Sequence, residues 1–529
     1  MKNFLLFLFL GLTSTLQAAR VDIVSAADEA KGILGKNVTC ILYATNYYVF
    51  QGADGNGFAI IASDNTTPSV IGYSVDGQYD LSDVPSQLAL ALQQYKTTPI
   101  PAKLYQRNVS RVSAAEVKPL CKTQWGQNAP YNNLVPKING EACPSGCVAT
   151  ALAQILASHK WPEVGEGNKW YNPGITGYAN TYYDFTTHTY QWDAMQNTKK
   201  ENLDSDEASA AVAQLLFDCG VQTDMSYSLE GSGTNDDLAM KALYTYMGYK
   251  ASTLDLQRRD CYATQEEWDE LVKNELTAGR PVLYGGFNPT SSGHEFIIDG
   301  YDTKGMFHVN WGWDGKSDGY FAISQLYGFT DSQSMVCGIQ PDYERTDKIP
   351  QQTRVYLAAA PTVDCTSVAL ADAFHIINPL FYNYSRTYHK WIGQIALYDT
   401  DGNQLQTVST AKEANRTYSL GANRGQQNQS WICRIPTTVA DGSYVLRTVF
   451  QQDGYTDYVL PDMLGGSHLN NIKVTIKNGV AYFDDDTAVK AVITPSAQQN
   501  GKSYTVSGQP ADDNYHGIVI QNGHKAIRR

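Results

Sequence analysis

Runs of positive charge are missing from this chain of 529 residues, and so are pairs of cysteines with C-x-x-C spacing. Lys and Arg number 40 against 53 Asp and Glu, so the formal net charge is −13, which argues against nucleic acid as the main partner. The 9 cysteines form no C-x-x-C pair and are too sparse for a disulfide scaffold. Because their number is odd, bridging leaves at least one thiol unpaired. That thiol is either reactive or, as free cysteines usually are, a small buried residue.

Apolar runs long enough to cross a bilayer are also missing. The opening sequence "MKNFLLFLFLGLTSTLQAAR" has Lys2, then an apolar run over 4–12, then a plausible cleavage region at 16–19. This order is typical of a secretory signal peptide, here residues 1–19, whereas the run is too short for a membrane anchor. We therefore expect export through this signal to a secreted or cell-surface location.

Four sequence patterns divide the remaining residues, which are too many for one hydrophobic core. They predict a small α+β unit at 20–115, an α+β domain with helices first and strands second at 116–341, an antiparallel β-sandwich of immunoglobulin-like type at 350–483, and a β module at 490–529. Within the first unit, strands are expected at 40–51, 57–63 and 68–74, and a helix at 85–96. A Pro-containing segment without periodicity, 97–118, is expected to be an exposed linker. The second unit is expected to form two lobes with a cleft between them.

A cysteine stands where a helix is predicted to begin. Apolar residues at 148, 151, 152, 155 and 156 form the stripe of an amphipathic helix over 147–159, so Cys147 falls on its first turn after Ser145 and Gly146. A helix N-terminus favours an anion, so we expect a lowered thiol pKa and a nucleophilic thiolate. The backbone N–H of Cys147 is placed to meet an oxyanion. The alternative is a buried cysteine without chemistry.

A thiol nucleophile needs an imidazole base and a group that orients the imidazole. His294 follows a Gly-rich approach at the start of an apolar strand, 147 residues after the cysteine, within the offset of about 130–150 known for one class of thiol-dependent enzymes. Asn310 lies on a neighbouring predicted strand as the orienting group, and Trp311 beside it shields the hydrogen bond. Gln127, in a loop before the cysteine, is a candidate second oxyanion donor. The alternatives are a surface histidine, a turn asparagine and a core tryptophan.

Four blocks in this order together resemble the streptopain family of cysteine peptidases: "GCVATALAQILASHKWP" (146–162), "DCGVQTDMSY" (218–227), "GHEFIIDGY" (293–301) and "HVNWGWDGKSDGYF" (308–321). The resemblance implies a papain-like fold, with Cys147 as nucleophile, His294 as base, Gln127 as oxyanion donor, and Asn310 with Trp311 supporting the histidine. It also implies that residues 20–115 resemble the family's inhibitory propeptide, which is cut off within 97–120. No metal or cofactor is implied.

Two residues depart from the family pattern. Glu295 replaces a small apolar residue after the histidine, and strand alternation predicts that it turns away from His294 as a buried or rim carboxylate. Asp314 stands where the family usually has glycine, with an effect on the edge of the cleft that the sequence does not define. Cys143, four residues before Cys147, is a candidate for a disulfide with Cys121.

The sequence therefore favours a secreted cysteine endopeptidase that is made as a zymogen, acts on proteins and peptides, and is inhibited by its own propeptide. A surface adhesin with an inert papain-like domain is the alternative from another class. An amidase or peptidoglycan hydrolase with the same catalytic pair is a third reading, against which the four blocks argue. The C-terminal segment resembles sorting modules of exported proteins, so surface or export machinery is a candidate partner. The β-sandwich either binds a surface or glycan or serves as a spacer.

Overall fold

The structure is a computed structural model that describes residues 20–63, 69–81, 116–195, 205–288, 293–324, 326, 329–347, 355–383, 389–414, 416–421, 424–483, 503–505, 510–511, 517–521 and 524–528. The predicted signal peptide, the predicted helix at 85–96 and most of the predicted linker at 97–118 lie outside these residues. Among the described residues, no helix is both long and apolar enough to span a membrane.

The helices agree closely with the periodicity of the sequence. They are α1 (Ile23–Leu34), α2 (Cys147–His159), α3 (Asp206–Gln222), α4 (Asp236–Tyr246), α5 (Gln265–Thr277) and the short α6 (Ala411–Ala414). Helix α5 begins with a capping box, in which the Thr264 hydroxyl accepts from the Glu267 N–H and the Glu267 carboxylate accepts in return. Helix α1 was not predicted, although Asp22 caps its start and Gly35 ends it in the left-handed conformation.

The strands before residue 341 are β1 (Val38–Tyr43), β2 (Tyr47–Gly52), β3 (Phe58–Ala62), β4 (Val70–Ser74), β5 (Lys137–Ile138), β6 (Glu141–Ala142), β7 (Asn168–Tyr171), β8 (Thr181–Asp184), β9 (Asp255–Arg258), β10 (Val282–Phe287), β11 (Gly293–Tyr301), β12 (Phe307–Asn310), β13 (Gly319–Phe321) and β14 (Asp331–Cys337). Strands β5–β6 and β7–β8 form separate hairpins. The others form one sheet of 10 strands in the order β1-β2-β3-β4-β13-β12-β11-β10-β14-β9. The single strand expected at 40–51 is a hairpin of β1 and β2.

Strand alternation in this sheet separates two hydrophobic cores, which correspond to the two expected lobes. Leu283 and Ile297 face the core that contains helices α2, α3 and α4. Their neighbours Val282 and Phe296 face a second core, to which α5 contributes Trp268. The cleft residues described below lie where the start of α2 meets strands β10 and β11.

The sheet also joins the two units that the sequence separates. Tyr73 and Gly72 on β4 pair with Tyr320 and Phe321 on β13, so the first unit adds its strands to the edge of the second. The Tyr73 hydroxyl donates a buried hydrogen bond of 2.7 Å to Asp302. Residues of β2, β3 and β4 share the core that contains α5. The first unit is therefore held by strand addition and by a common core.

The remaining strands are β15 (Val355–Leu357), β16 (Thr362–Val363), β17 (Ser367–Ala369), β18 (Phe374–Asn383), β19 (His389–Tyr398), β20 (Gln404–Thr407), β21 (Thr417–Leu420), β22 (Arg424–Cys433), β23 (Gly442–Gln452), β24 (Asp462–Met463), β25 (Ile472–Lys477), β26 (Val480–Phe483), β27 (Ser503–Thr505), β28 (Pro510–Ala511), β29 (Gly517–Gln521) and β30 (His524–Arg528). Strands β15 to β26 form two sheets that share one core, with Trp391 and Trp431 fully buried in it. Strands β27 to β30 form a sheet of 4 strands.

Substitution of Gly72 tests the attachment of the first unit. A Cβ at Gly72 would lie 2.2 Å from the buried Phe321 ring, so Gly72→Val forces the two edges apart. We expect a loss of about 1–3 kcal/mol in the free energy of unfolding of this unit and faster proteolytic release of it. Chemical denaturation and limited proteolysis measure both effects.

Gly32→Ala in α1 is the matched control, because nothing lies within 4 Å of the added Cβ. The control should stabilise the same unit by about 0.5–1 kcal/mol through helix propensity. If Gly72→Val unfolds and is cleaved like the unsubstituted chain, the edge contact does not hold the first unit.

Candidate active site

Helix α2 places Cys147 at its first residue, as the sequence predicts. Gly146 precedes it with φ of 93°, a conformation that side chains rarely allow, and a Cβ there would lie 2.8 Å from Met225. All residues from Val148 to Ala157 are buried, so the helix is fixed in its core. The thiol is thus held at a rigid helix start on the border of a cavity.

The pKa of the Cys147 thiol moves opposite to the prediction. Burial, with a smaller contribution from charge repulsion by the Glu295 carboxylate, raises the pKa of this thiol to about 11. The backbone N–H groups of Glu295, Val148 and Cys147 act in the other direction, because their dipoles favour the thiolate. The predicted low-pKa thiolate is therefore wrong for this form of the chain: desolvation outweighs the helix N-terminus, although Cys147 itself borders the cavity and is only half-buried.

The imidazole of His294 is buried in an aromatic stack. Its ring lies parallel to Trp313, with centroids 4.6 Å apart, and 6.2 Å from the Trp311 ring. Nε2 lies 2.9 Å from the Trp311 carbonyl oxygen, which only accepts, so Nε2 carries the proton. Nδ1 is left as the basic nitrogen, buried and without a hydrogen-bond partner among the described residues. Burial lowers the pKa of His294 to about 4, so the ring is neutral at pH 7.

Cys147 and His294 border one cavity, but no hydrogen bond joins the sulfur to the imidazole in this form. At neutral pH both groups are uncharged, because the thiol pKa lies far above 7 and the imidazole pKa far below it. The structure therefore brings the predicted nucleophile and base to the same cleft and leaves them as an unpaired thiol and imidazole.

Asn310 is engaged elsewhere than expected. Its Nδ2 donates to the Thr123 carbonyl at 2.7 Å, and its amide exchanges hydrogen bonds with the Gln154 side chain at 3.1 and 3.2 Å. Its Oδ1 also accepts from the Gly312 N–H. The expected Asn310–His294 hydrogen bond is absent, and the Trp311 backbone takes that place. Asn310 instead ties α2 to the strand that precedes Trp311.

The loop that carries Gln127 is tied directly to the cysteine loop. The Gln127 carbonyl accepts from the Ser145 N–H at 2.9 Å, two residues before Cys147. The Gly126 Cα packs on Asp314, where a Cβ would lie 2.4 Å from Oδ1. Asp314 has φ of 57°, in the left-handed region that glycine adopts most easily. Position 314 therefore supports the loop that carries Gln127, while the role of Gln127 as oxyanion donor remains a prediction.

The cavity beside Cys147 measures about 570 Å³. It is bordered by residues of α2, α4, β9, β10, β11 and β14 and of the 230–235 loop: Cys147, Val148, Glu230, Gly231, Ser232, Gly233, Thr234, Asn235, Asp236, Asp237, Leu256, Arg258, Gly286, Phe287, Gly293, His294, Glu295, Ser332 and Ser334. As predicted, Glu295 points away from the His294 ring and is buried, with 6% of its surface exposed. That face of the sheet is the one that borders the cysteine.

Sequence reasoning missed the glycines opposite these two residues. On β10, Gly286 pairs with His294 and Gly285 with Glu295. A Cβ at Gly285 would lie 2.1 Å from Glu295 Oε2, so the glycine makes the space for the carboxylate. The "YGGF" sequence inside a predicted strand was the available signal, because glycine in a strand often marks a close approach.

The expected disulfide between Cys121 and Cys143 is absent, and all 9 cysteines are free. Both residues are buried in the core of α2 to α4, as small apolar side chains. Burial raises the pKa of both thiols, so neither is prepared for exchange. Within the described ranges, no group of three His, Cys, Asp or Glu residues is placed to hold a metal ion.

Residues 125–321 match the model of the peptidase C10 family, and residues 42–98 match that of the Spi protease inhibitor. The chain is 30% identical to streptopain of Streptococcus pyogenes over 57% of its own length and 82% of that protein. It is 28% identical to the thiol protease/hemagglutinin PrtT of Porphyromonas gingivalis over 95% of its own length, but spans only 58% of that relative. A solved fragment of Prevotella intermedia prointerpain A is 33% identical over 58% of this chain and 99% of the fragment, with a TM-score of 0.48.

Alkylation measures the state of the cysteine. With a pKa of about 11, Cys147 in the full chain should react with iodoacetamide at pH 8 more than about 100-fold more slowly than an ordinary thiol, since only the thiolate reacts. The rate should rise with pH up to about 11. Peptide-resolved mass spectrometry separates Cys147 from the other thiols, with glutathione as the reference. Fast alkylation that already levels off below pH 8 would contradict the buried-thiol state.

Proposed function

The chain belongs to the peptidase C10 family, and on this premise we propose that it is a cysteine endopeptidase made as an inactive precursor. One observation carries the proposal: a cysteine at the first residue of a buried helix and a histidine with a bare Nδ1 border the same cavity. The match of residues 42–98 to a protease inhibitor supports inhibition by the first unit, which is joined to the sheet that carries the histidine. Proteins and peptides are the substrates.

The form described is the resting one. Its neutral thiol and neutral imidazole have no hydrogen bond between them, so activation requires them to meet. Removal of the 20–115 segment is the event we propose for this step. It would free the edge of β13 and relax the second core, to which the histidine strand also contributes. Once the two are adjacent, each stabilises the charged form of the other.

The chemistry then proceeds with the residues at hand. His294 Nδ1 takes the Cys147 proton, and the thiolate attacks the scissile carbonyl to form a C–S bond. The Cys147 N–H and the Gln127 side-chain amide hold the resulting oxyanion. His294 returns the proton to the leaving amine as the C–N bond breaks, and water attacks the thioester with His294 as base. Asn310 and Trp311 act on the histidine by positioning its strand and its Nε2 partner.

We also propose that the chain is exported by its opening segment and acts outside the cell or on its surface. The two sheets at 355–483 are proposed to be the expected immunoglobulin-like β-sandwich, which either binds a surface or glycan or serves as a spacer. Their common core supports a self-contained unit. The last segment is proposed to engage surface or export machinery.

Replacement of Cys147 tests the activity. The full chain should convert to a smaller form and cleave denatured casein, whereas Cys147→Ala should do neither, because no other group supplies the nucleophile. Gel analysis and release of labelled peptides measure both. Cys143→Ala, four residues earlier, is the control and should keep activity. Conversion by Cys147→Ala at the normal rate would contradict the peptidase, and binding to a matrix protein by both chains would favour an adhesin.

Replacement of Gln127 tests the oxyanion donor. Gln127→Ala should lower kcat about 100-fold with little change in KM, because the interaction forms only as the oxyanion develops. Steady-state kinetics on one peptide substrate separate the two constants. Gln124→Ala in the same loop is the control and should retain kcat. A rise in KM with kcat unchanged would assign Gln127 to substrate binding instead.

A further inference from the structure

Most of the charged side chains that line the cavity beside Cys147 are acidic. Four carboxylates border it, those of Glu230, Asp236, Asp237 and Glu295, and Arg258 is the one lysine or arginine among its described lining residues. Of the four, Glu295 lies deepest, while Glu230 stands exposed at the rim. Acidic groups alone do not define a site, so the state of Glu295 decides what the cavity accepts.

The Glu295 carboxyl is buried, and the described residues do not satisfy all of its hydrogen-bonding capacity. Its side chain borders the cavity with 6% of the residue exposed, and Oε1 has no hydrogen-bond partner among the described residues. Burial raises the pKa of this carboxyl well above its ordinary range, and repulsion by the Asp236 carboxylate raises it further. An unpaired buried carboxyl costs free energy that a cationic or hydrogen-bond-donating ligand would recover.

Arg258 does not neutralise Glu295. Cross-strand pairing places Glu295, Gly285, Ser334 and Arg258 in one row over β11, β10, β14 and β9. Three strand spacings, or about 14 Å, therefore separate the backbones of Glu295 and Arg258. The guanidinium binds Asp260 through two hydrogen bonds of 2.8 and 3.1 Å and lies 5.0 Å from the Tyr356 ring centroid.

No positively charged side chain stands between the two ends of this row. Gly285 contributes no side chain, and the Ser334 hydroxyl donates to Asp236. Asp236, on the first turn of α4, therefore adds a second carboxylate to the lining of the same cavity. The row thus runs from Glu295, whose Oε1 has no hydrogen-bond partner among the described residues, toward Asp236, which accepts from Ser334.

We propose that this cavity is a substrate subsite for a lysine or arginine side chain near the scissile bond, and that Glu295 determines this specificity. The inference rests on the proposed peptidase function. Glu295 and Cys147 border the same cavity, so the proposed subsite lies beside the nucleophile. A bound cation would pair with the carboxylate and cancel its repulsion of the thiolate.

Peptides that differ only in charge test the proposal. Fluorogenic peptides carry arginine, its neutral isostere citrulline, lysine or leucine at each position before the scissile bond in turn. The self-converted wild-type enzyme should cleave the arginine peptide at least about tenfold better than the citrulline peptide, in kcat/KM, at one position. Glu295→Gln should bring that ratio close to one. The ratio is taken within one enzyme, so a change in thiol reactivity cancels.

Glu230→Gln is the matched control, because it removes a rim carboxylate of the same cavity and should keep the ratio. If Glu295→Gln does not mature, Gly285→Ala serves in its place, since the added Cβ would displace the carboxylate and lower the ratio. A wild-type ratio near one at every position, a preference for leucine, or an arginine preference that survives Glu295→Gln overturns the inference. If the wild-type chain cleaves neither these peptides nor denatured casein, the proposed function itself fails.

Discussion

The reactivity of this molecule depends on two opposing effects on the pKa of the Cys147 thiol: nearby backbone amides lower it, and burial raises it. Three backbone N–H groups, two on the first turn of α2 and one on β11, favour the thiolate of Cys147. Desolvation and the Glu295 carboxylate oppose them, and together they prevail, so the thiol stays protonated. A histidine held neutral in an aromatic stack makes no opposite charge available. Small changes in solvation or in the position of the imidazole therefore decide between an inert and a reactive cysteine.

The same sheet connects this balance to the first unit of the chain. Strand β4 pairs with β13, β13 with β12, and β12 with the histidine strand β11. The Trp311 carbonyl that holds His294 follows directly on β12, and the Trp311 N–H donates to Asp318 just before β13. Only two strands thus separate the attached unit from the histidine, and its apolar side chains lie in the same core. A continuous sheet gives such a unit a mechanical connection to the strand that carries His294.

Local patterns in the sequence predicted helix α2 and the placement of Cys147 at its start, because both have short-range signatures. The apolar stripe after Cys147 fixed the start of α2, and the capping residues of α5 marked its first turn. Such patterns do not predict hydrogen-bond partners that come from distant parts of the chain. We expected the Asn310 amide to form a hydrogen bond with His294, but it forms hydrogen bonds with Gln154 and Thr123 instead. Likewise, the sign of the Cys147 pKa shift depends on burial, which spacing in the sequence does not report.

Buried polar atoms without partners are uncommon in folded proteins, because each one costs free energy. Three of those among the described residues border one cleft: His294 Nδ1, Glu295 Oε1 and Ser232 Oγ. A purely structural cleft would gain stability if these positions were apolar or paired. Their coincidence around Cys147 is what a site complementary to an absent polar partner requires, since the partner restores the interactions on binding. These unpaired buried atoms are therefore themselves an argument that the cleft serves catalysis and recognition.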